Sequence, residues 1–314
     1  MTDAPAIPVE LRPEGSGRGL RVPWWAKIGG KLALARLPLG YRSWARLGLF
    51  RHGARDRDHY RPVGAWKWAL GQWTARRGTA PPGTTLELGP GDSLGSALAA
   101  AASGVRHPLL MDVGDFATRD MAHYAEVAAI LAKRGTPLPG PPGPDCTAML
   151  EAIGGRYLTT GVAGLAGIAT GSVSFTWSTS VLEHVRRDEM APLLAELYRI
   201  TAPGGLGWHA VDLMDHLGGG LHNLRFAERL WEAPWFARAS GFYTNRLRER
   251  EFLALANAAG FSAHVAWRER WAALPLPRAR MAPPFRGMAE AELCISGFHL
   301  VLEKPITAAP QREG

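Results

Sequence analysis

Residues 84–93 read Thr-Thr-Leu-Glu-Leu-Gly-Pro-Gly-Asp-Ser, a short apolar run that ends in a glycine-rich turn. The alanine-rich residues 94–103 that follow predict a helix. Glycines between a strand and a helix let a ligand approach the backbone at the carboxyl end of the strand. Leu94 stands where a GxGxxG fingerprint has its third glycine, and Glu87 places a negative charge just before the turn. The turn therefore departs from the dinucleotide-binding pattern and favours a cationic ligand over a pyrophosphate.

Downstream of this turn, short apolar runs alternate with helical stretches, which predicts βαβ units and a mostly parallel sheet. The predicted strands lie at 84–88, 107–112, 156–161, 172–178, 205–213, 262–270 and 294–304. The predicted helices lie at 94–103, 121–135, 147–155, 189–200 and 248–260.

Further polar groups and turns follow these predicted strands. Asp112 ends the second strand, where a carboxylate can accept hydrogen bonds from both hydroxyls of a ribose; the alternative is a surface or helix-capping Asp. The run Ser-Thr-Ser-Val-Leu-Glu-His-Val at 178–185 follows the fourth strand, and Ala-Pro-Gly-Gly at 202–205 precedes the fifth. These pieces predict a ligand site at the carboxyl edge of the sheet.

In this order, ELGPGDS, the strand-end Asp112, STSVLEHV and ITAPGG resemble the motifs of class I S-adenosylmethionine-dependent methyltransferases, over about residues 84–215. The resemblance implies an α/β, Rossmann-like fold. Its seven-stranded, mostly parallel sheet has helices on both faces and an antiparallel C-terminal strand. It also implies S-adenosyl-L-methionine as cofactor, bound by Glu87, Gly89, Gly91, Asp92, Asp112, Val113, Ser178, Thr179 and Ser180. The family often has an acid after the third strand that contacts adenine, whereas this chain has Thr160-Gly161-Val162-Ala163. That contact is left to the backbone, to Asp115 or to Thr118.

The end of the STSVLEHV run carries two residues with alternative roles. Ser180 and Glu183 have the spacing of a capping box, which predicts a structural role for Glu183 rather than a catalytic one. His184 either lines the cofactor pocket or begins the helix.

Candidate catalytic residues crowd the end of the fifth strand. Methylation of an alcohol needs a base near the hydroxyl, and His209 or His216, oriented by Asp212 or Asp215, is suited to that role. We therefore predict His209, Asp212 and His216 as catalytic residues. The alternatives are a hydrogen-bonded hinge or a divalent-metal site, although the spacing matches no defined metal-ligand pattern.

We predict that residues 215–248 form an insertion that covers the substrate, because in the family the region between strands five and six commonly covers the methyl acceptor. The predicted acceptor contacts are Asn223, Arg225, Tyr243, Asn245 and Arg246, with a helical lid of core aromatics as the alternative. This stretch is also similar to methyltransferase-domain proteins of bacterial surface-glycan and secondary-metabolite pathways.

The function predicted on these grounds is O-methylation of a hydroxyl on a small molecule or glycan. The alternatives are N- or C-methylation of a small molecule, nucleic-acid methylation, and a non-catalytic cofactor-binding subunit. Nucleic-acid methylation is disfavoured, because Trp177-Ser178-Thr179-Ser180 replaces the Asn/Asp-Pro-Pro-aromatic motif of enzymes that methylate base amines.

Composition bounds the remaining questions. The chain has 314 residues, of which 46% are hydrophobic, so it can bury a large core. Its two cysteines, Cys146 and Cys294, support neither a disulfide framework nor a zinc ribbon, and we predict no metal. No signal-peptide pattern opens the chain, so the expected location is cytoplasmic.

Charge and residue composition divide the chain into four segments. Residues 1–80 hold 15 Lys and Arg against 5 Asp and Glu, although the whole chain carries only +8. We predict a disordered lead (1–22), a basic N-terminal helical cap (23–80), a methyltransferase domain (81–306) and a disordered tail (307–314). The basic, aromatic cap residues also allow peripheral contact with an anionic membrane.

Overall fold

The computed structural model describes residues 7–12, 23–34, 59–240 and 242–306. Its centre is one eight-stranded sheet with the order β1-β7-β8-β6-β5-β2-β3-β4. The strands are β1 (Val9–Leu11), β2 (Thr84–Leu88), β3 (His107–Met111), β4 (Arg156–Leu158), β5 (Val173–Thr179), β6 (Thr201–Asp212), β7 (Ser262–Arg270) and β8 (Ile295–Glu303).

The middle of the sheet is parallel and buried. β2 pairs in parallel with β3 and β5, with Leu86 opposite Leu109 on one side and Thr176 on the other. Both faces of β2 are covered, which explains why its sequence reads as a nearly continuous apolar run. β8 runs antiparallel to β6 and β7. The predicted mostly parallel sheet with an antiparallel C-terminal strand is confirmed.

Helices cover both faces of the sheet, as predicted. One face packs against Arg187–Ile200 and Glu249–Ala258, and the other against Tyr60–Arg77, Gly95–Ala102, Met121–Lys133 and Cys146–Ala152. Further helices of the described residues are Trp24–Leu34, Val162–Leu165, Glu228–Trp231, Pro234–Ser240, Pro283–Arg286 and Glu290–Leu293. Turns of 3-10 helix lie at Leu182–His184, His222–Arg225 and Arg278–Arg280.

The Pro-Gly-Gly turn predicted before the fifth strand lies inside β6. The register with β5 passes from Val173 opposite Thr201 to Phe175 opposite Leu206, so residues 202–205 bulge out of the ladder. Gly204 adopts a φ of +73° there, which a glycine tolerates without strain.

An N-terminal strand corrects two predictions, the seven-stranded sheet and the disordered lead. β1 adds an eighth strand, because its short run Val-Glu-Leu pairs in parallel with the open edge of β7. Arg12 then forms an ion pair with Glu269, at 2.8 Å between Nη1 and Oε2. Residues 1–6 and 13–22 of the predicted lead, and the predicted tail 307–314, lie outside the described residues.

The described residues of the basic N-terminal segment form two helices, and residues 35–58 of the predicted cap lie outside the described residues. Helix Trp24–Leu34 packs Trp24, Ile28 and Leu32 against an aromatic cluster around Trp231, which is the i, i+4, i+8 pattern of one helix face. Helix Tyr60–Arg77 lies against Gly95–Ala102. Among the described helices, none combines the length and the apolar character needed to cross a bilayer.

Candidate functional site

The turn between β2 and helix Gly95–Ala102 requires glycine at two positions. Gly89 and Gly91 adopt φ values of +65° and +66°. A Cβ atom on Gly89 would lie 2.5 Å from Cγ2 of Val181 in the turn after β5. The N–H of Gly89 donates to the carbonyl of Met111 at 2.8 Å, which joins this turn to the end of β3. The turn therefore brings the ends of β2, β3 and β5 together.

The side chain of Asp112 lies against this turn. Its Oδ2 accepts from the N–H of Gly91 at 3.3 Å, and its Oδ1 accepts from the N–H of Val113 at 2.7 Å. Its backbone is bound to β4 and the following turn through Leu158 and Gly161. Val113 beside it is 76% exposed, which is unusual for a valine at the edge of a core. The pair presents a carboxylate and an apolar surface side by side.

Glu87 is buried rather than facing a ligand. Ser96 Oγ donates a hydrogen bond to its carboxylate. Burial raises the pKa of Glu87 to about 8, and the charge of Asp112 adds to the rise while the bond from Ser96 opposes it. The carboxyl is therefore mostly protonated at pH 7. The predicted preference for a cationic ligand has little support from this residue.

The other predicted cofactor residues divide by exposure. Asp92 is half-buried, and its carbonyl accepts from the N–H of Thr118. Ser178 is fully buried and lies 2.8 Å from Nδ1 of His209, whereas Thr179 and Ser180 are exposed. Ser180 adopts a φ of +54°, a strained conformation for a residue with a side chain.

The capping box predicted for Ser180 and Glu183 is wrong. The 3-10 turn Leu182–His184 follows Val181, and no side chain caps it. Glu183 is only 1% exposed, and neither carboxylate oxygen has a hydrogen-bond partner within the described residues. Burial raises the pKa of Glu183 well above its ordinary value; the nearby backbone N–H groups of Glu183 and Asp212 oppose the rise, and the charge of Asp212 adds to it. Glu183 is a buried acid next to the site, and the helix-cap interpretation obscured it.

His209 is not placed to act on a bound substrate. It is fully buried on β6 among the strands, near Ser178 and Thr176. Burial lowers the pKa of its imidazole to about 3, so the ring stays neutral. The prediction of His209 as a catalytic base conflicts with this burial, since both faces of the central sheet are covered.

Asp212 and His216 do lie at the carboxyl edge of the sheet. Asp212 is half-buried, and Oδ1 accepts from the N–H of Met214 at 2.8 Å. Burial raises its pKa, while the bond from Met214 and the charge of His216 oppose the rise. His216 is exposed, and its ring lies 4.7 Å from that of His184. Asp215 instead shapes the loop, because its carboxylate accepts backbone N–H bonds from Leu217, Gly218 and His222.

A cavity of about 150 Å³ opens beside Asp212. Its wall combines carboxylates, hydroxyls and aromatic rings: Ser180, Ala210, Val211, Asp212, Met214, Trp267, Glu269, Ser296, Gly297, Phe298 and His299. The exposed Ser180 joins it to the turn after β5. Within the described ranges, no group of three or more His, Cys, Asp or Glu side chains is arranged to hold a metal ion.

Most of the predicted acceptor contacts are structural. Asn245 is buried, and its amide donates to the carbonyls of Leu182 and Val185. The buried Asn223 donates to Thr244, and the hydroxyl of Tyr243 donates to Glu232. Arg246 has little exposure and donates to the carbonyl of Phe226. Arg225 is partly exposed. Polar side chains predicted to face a substrate thus bond to other groups of the protein, two of them to backbone carbonyls and two to side chains.

No family model and no curated protein matches the chain. Solved structures do, at low identity. A 1,6-didemethyltoxoflavin-N1-methyltransferase from Burkholderia thailandensis is 16% identical, over 92% of this chain and 93% of its own, with a TM-score of 0.44. An O-methyltransferase family protein from the same organism is 11% identical, over 91% and 69%, with a TM-score of 0.46. An S-adenosylmethionine-dependent methyltransferase from Mesorhizobium loti is 16% identical, over 76% and 100%, with a TM-score of 0.40.

The order of strands β2 to β8 decides the fold. They follow one another across the sheet as β4-β3-β2-β5-β6-β8-β7. β8 is antiparallel, and a mostly parallel sheet with an antiparallel C-terminal strand is what the resemblance of the sequence motifs implies. The chain therefore has a Rossmann-like α/β fold, a mostly parallel sheet with helices on both faces.

Proposed function

We propose that the protein transfers a methyl group from S-adenosylmethionine to a hydroxyl of a small molecule or glycan. One observation carries the proposal. The Gly89–Gly91 turn and the carboxylate of Asp112 lie at the carboxyl edge of the parallel strands, and the cavity beside Asp212 opens at the same edge. Ligands of open α/β sheets bind at this edge.

The residues at the turn fit the cofactor. Asp112 would accept hydrogen bonds from the ribose hydroxyls, and the exposed side chain of Val113 would lie against the purine. Gly89 and Gly91 have no side chain to block approach to the backbone. When bound, S-adenosylmethionine supplies an electrophilic methyl group on a sulfonium sulfur.

The chain's own task is then to hold the acceptor and to take its proton. Asp212 lines the cavity, and burial makes its carboxylate a stronger base than an exposed aspartate. A hydroxyl held against Asp212 would pass its proton to the carboxylate as the oxygen attacks. His216 is close enough to Asp212 for its charge to act on the carboxylate, and Trp267 lines the cavity.

The wall of the cavity supports a polar ring as acceptor. Trp267 provides aromatic surface and stacks on the ring of His299, and the exposed Ser180 provides a hydroxyl next to it. Aromatic faces with a few placed polar groups are typical of small-molecule sites.

Transfer of a deuterated methyl group tests the proposal. The purified chain, given S-adenosylmethionine with a deuterated methyl, is incubated with metabolite and glycan extracts from cells lacking the gene, and products are found by mass spectrometry. We expect a labelled ether in at least one fraction. Asp212→Asn should lower its formation about 10²–10⁴-fold with cofactor affinity unchanged. A labelled amine or carbon would contradict the hydroxyl acceptor, and no labelled product from a chain that binds the cofactor would contradict the activity.

A further inference from the structure

Basic side chains from three distant parts of the sequence converge on the outer side of the covering segment. Lys27 belongs to helix Trp24–Leu34, His222 and Arg225 belong to the 3-10 turn His222–Arg225, and Arg280 ends the turn Arg278–Arg280. We call these four residues the basic cluster. Of these, only Arg225 belongs to the predicted acceptor contacts, and none lines the cavity beside Asp212.

Ring contacts hold the centre of the basic cluster. The ring of Trp24 stacks on that of His222, with centroids 5.6 Å apart and planes 24° from parallel. The guanidinium carbon of Arg225 lies 5.2 Å from the centre of the Trp24 ring. Arg225 Nε also donates to Nδ1 of His222 at 3.1 Å. The guanidinium is therefore fixed by an aromatic face and by an imidazole.

The two outer cations are placed by the backbone. The N–H of Ala282 donates to the carbonyl of Leu224 at 2.8 Å, which holds Arg280 close to Arg225. Lys27 lies one helical turn after Trp24, on the side of the helix that faces the cluster. Burial is the main cause that lowers the pKa of Arg225, and the charge of Arg280 lowers it further. Burial also lowers the pKa of His222; the charges of Arg225 and Lys27 add to this fall, and that of Asp215 opposes it.

Among the described residues, no exposed acid pairs with this positive charge. Within the described parts of the chain, no carboxylate forms an ion pair with Lys27, Arg225 or Arg280. The acid that does act on the cluster, Asp215, is buried, and its oxygens accept backbone N–H bonds. Like charges brought together without counterions repel, and a bound anion relieves that repulsion.

We propose that the basic cluster is a binding site for a phosphate group. Arg225 and Arg280 offer the forked N–H donors that match phosphate oxygens, Lys27 adds a point charge, and Trp24 forms one wall. The binding does not depend on the proposed methyl transfer. Because the 3-10 turn follows the loop after β6, the phosphate would belong to the acceptor or its carrier, and that role does rest on the proposed function.

Calorimetric titration with inorganic pyrophosphate tests the site directly. The full chain is titrated at constant ionic strength, beside the double variant Arg225→Gln/Arg280→Gln and the single variant Arg280→Gln. Arg280 is exposed, so the single variant carries little risk to folding. Arg250→Gln, at an exposed arginine of helix Glu249–Ala258, removes one charge elsewhere and is the matched control.

We expect saturable binding that weakens at least about tenfold in the double variant, severalfold in Arg280→Gln and less than about twofold in Arg250→Gln.

A second experiment sediments the chain with phosphatidylcholine vesicles that either contain or lack phosphatidylglycerol. If the anionic vesicles retain the chain and the double variant is released, the phosphate source is a lipid headgroup; if pyrophosphate alone binds, it is a soluble group. An equal loss in Arg250→Gln, or no saturable binding of either probe, would overturn the proposal.

Discussion

Asp112 and Glu183 show how differently two carboxylates at one sheet edge can be held. Asp112 accepts two backbone N–H bonds and stays half-exposed. Glu183 is buried without a hydrogen-bond partner among the described residues, and its pKa is raised. Position in the chain alone does not distinguish these two acids; their hydrogen-bond partners do.

Asp112→Ala should weaken S-adenosylmethionine binding by about 1.5–3 kcal/mol, because charge-assisted hydrogen bonds to the ribose are lost. Isothermal titration of the folded variant measures the change. Asp188→Ala, at an exposed acid of helix Arg187–Ile200, is the control and should keep its affinity. Equal affinities for Asp112→Ala and the wild type would remove Asp112 from the binding site.

Glu183→Gln should change how stability depends on pH. The folded-state pKa of Glu183 is raised, so the neutral carboxyl contributes stability that is complete below the ordinary glutamate pKa and is lost as the pH rises through the raised value. From about pH 5 to about pH 8, the free energy of unfolding should therefore fall less in the variant than in the wild type, by about 1–3 kcal/mol.

Urea unfolding at several pH values gives this comparison, and Glu126→Gln at an exposed position serves as its control. Parallel pH profiles for Glu183→Gln and the wild type would show that Glu183 is as easily ionised in the folded chain as in the unfolded one.

At the scale of elements, the site depends on how one turn packs against another. Gly89 in the turn after β2 touches Val181 in the turn after β5, and the positive φ of Gly89 lets the two turns approach. Ser180, beside this contact, is strained at a φ of +54°. Strain at this position fits a site that the surrounding strands hold in place.

Gly89→Ala should destabilise the chain by about 2–4 kcal/mol, through the contact with Val181 and the positive φ. Val181→Ala removes only the contact. We therefore expect the double variant to be more stable than the sum of the two single changes predicts, as measured by urea unfolding. Strictly additive effects would mean that the two turns do not touch.

Strand β1 is an element that can be removed. A chain lacking residues 1–12 loses the pairing with β7 and the ion pair between Arg12 and Glu269, which leaves a sheet edge open. We expect a melting temperature lower by about 2–6 °C and unchanged cofactor affinity. Arg12→Ala alone should cost no more than about 1 kcal/mol, because the pair is partly exposed. An unchanged melting temperature of the shortened chain would show that β1 does not stabilise the sheet.

For the molecule as a whole, the sequence predicted the positions of strands and helices better than the burial and contacts of their side chains. Strand and helix positions and the turn at Gly89 followed from periodicity and glycine spacing, because local geometry decides them. The burial of His209 did not follow from the sequence pattern, because alternation along a strand cannot show that both faces of a parallel sheet are covered.

The covering segment was misjudged for a related reason. Asn245 and Arg246 read as polar contacts for a substrate, but loops that pack on a core need side chains to satisfy buried backbone groups. The added strand β1 is three residues long, too short for a periodic pattern to identify. Both features depend on tertiary packing, which one sequence read alone does not contain.

The central claim is that the glycine turn and Asp112 form a site for S-adenosylmethionine. Side-by-side calorimetric titrations of the full chain with S-adenosylmethionine and with NAD test it most directly, because both ligands carry an adenosine and only NAD carries a pyrophosphate. We predict one molecule of S-adenosylmethionine per chain with a dissociation constant of about 1–100 μM, and no saturable binding of NAD. Tighter binding of NAD, or a folded chain that binds neither ligand, would contradict the account.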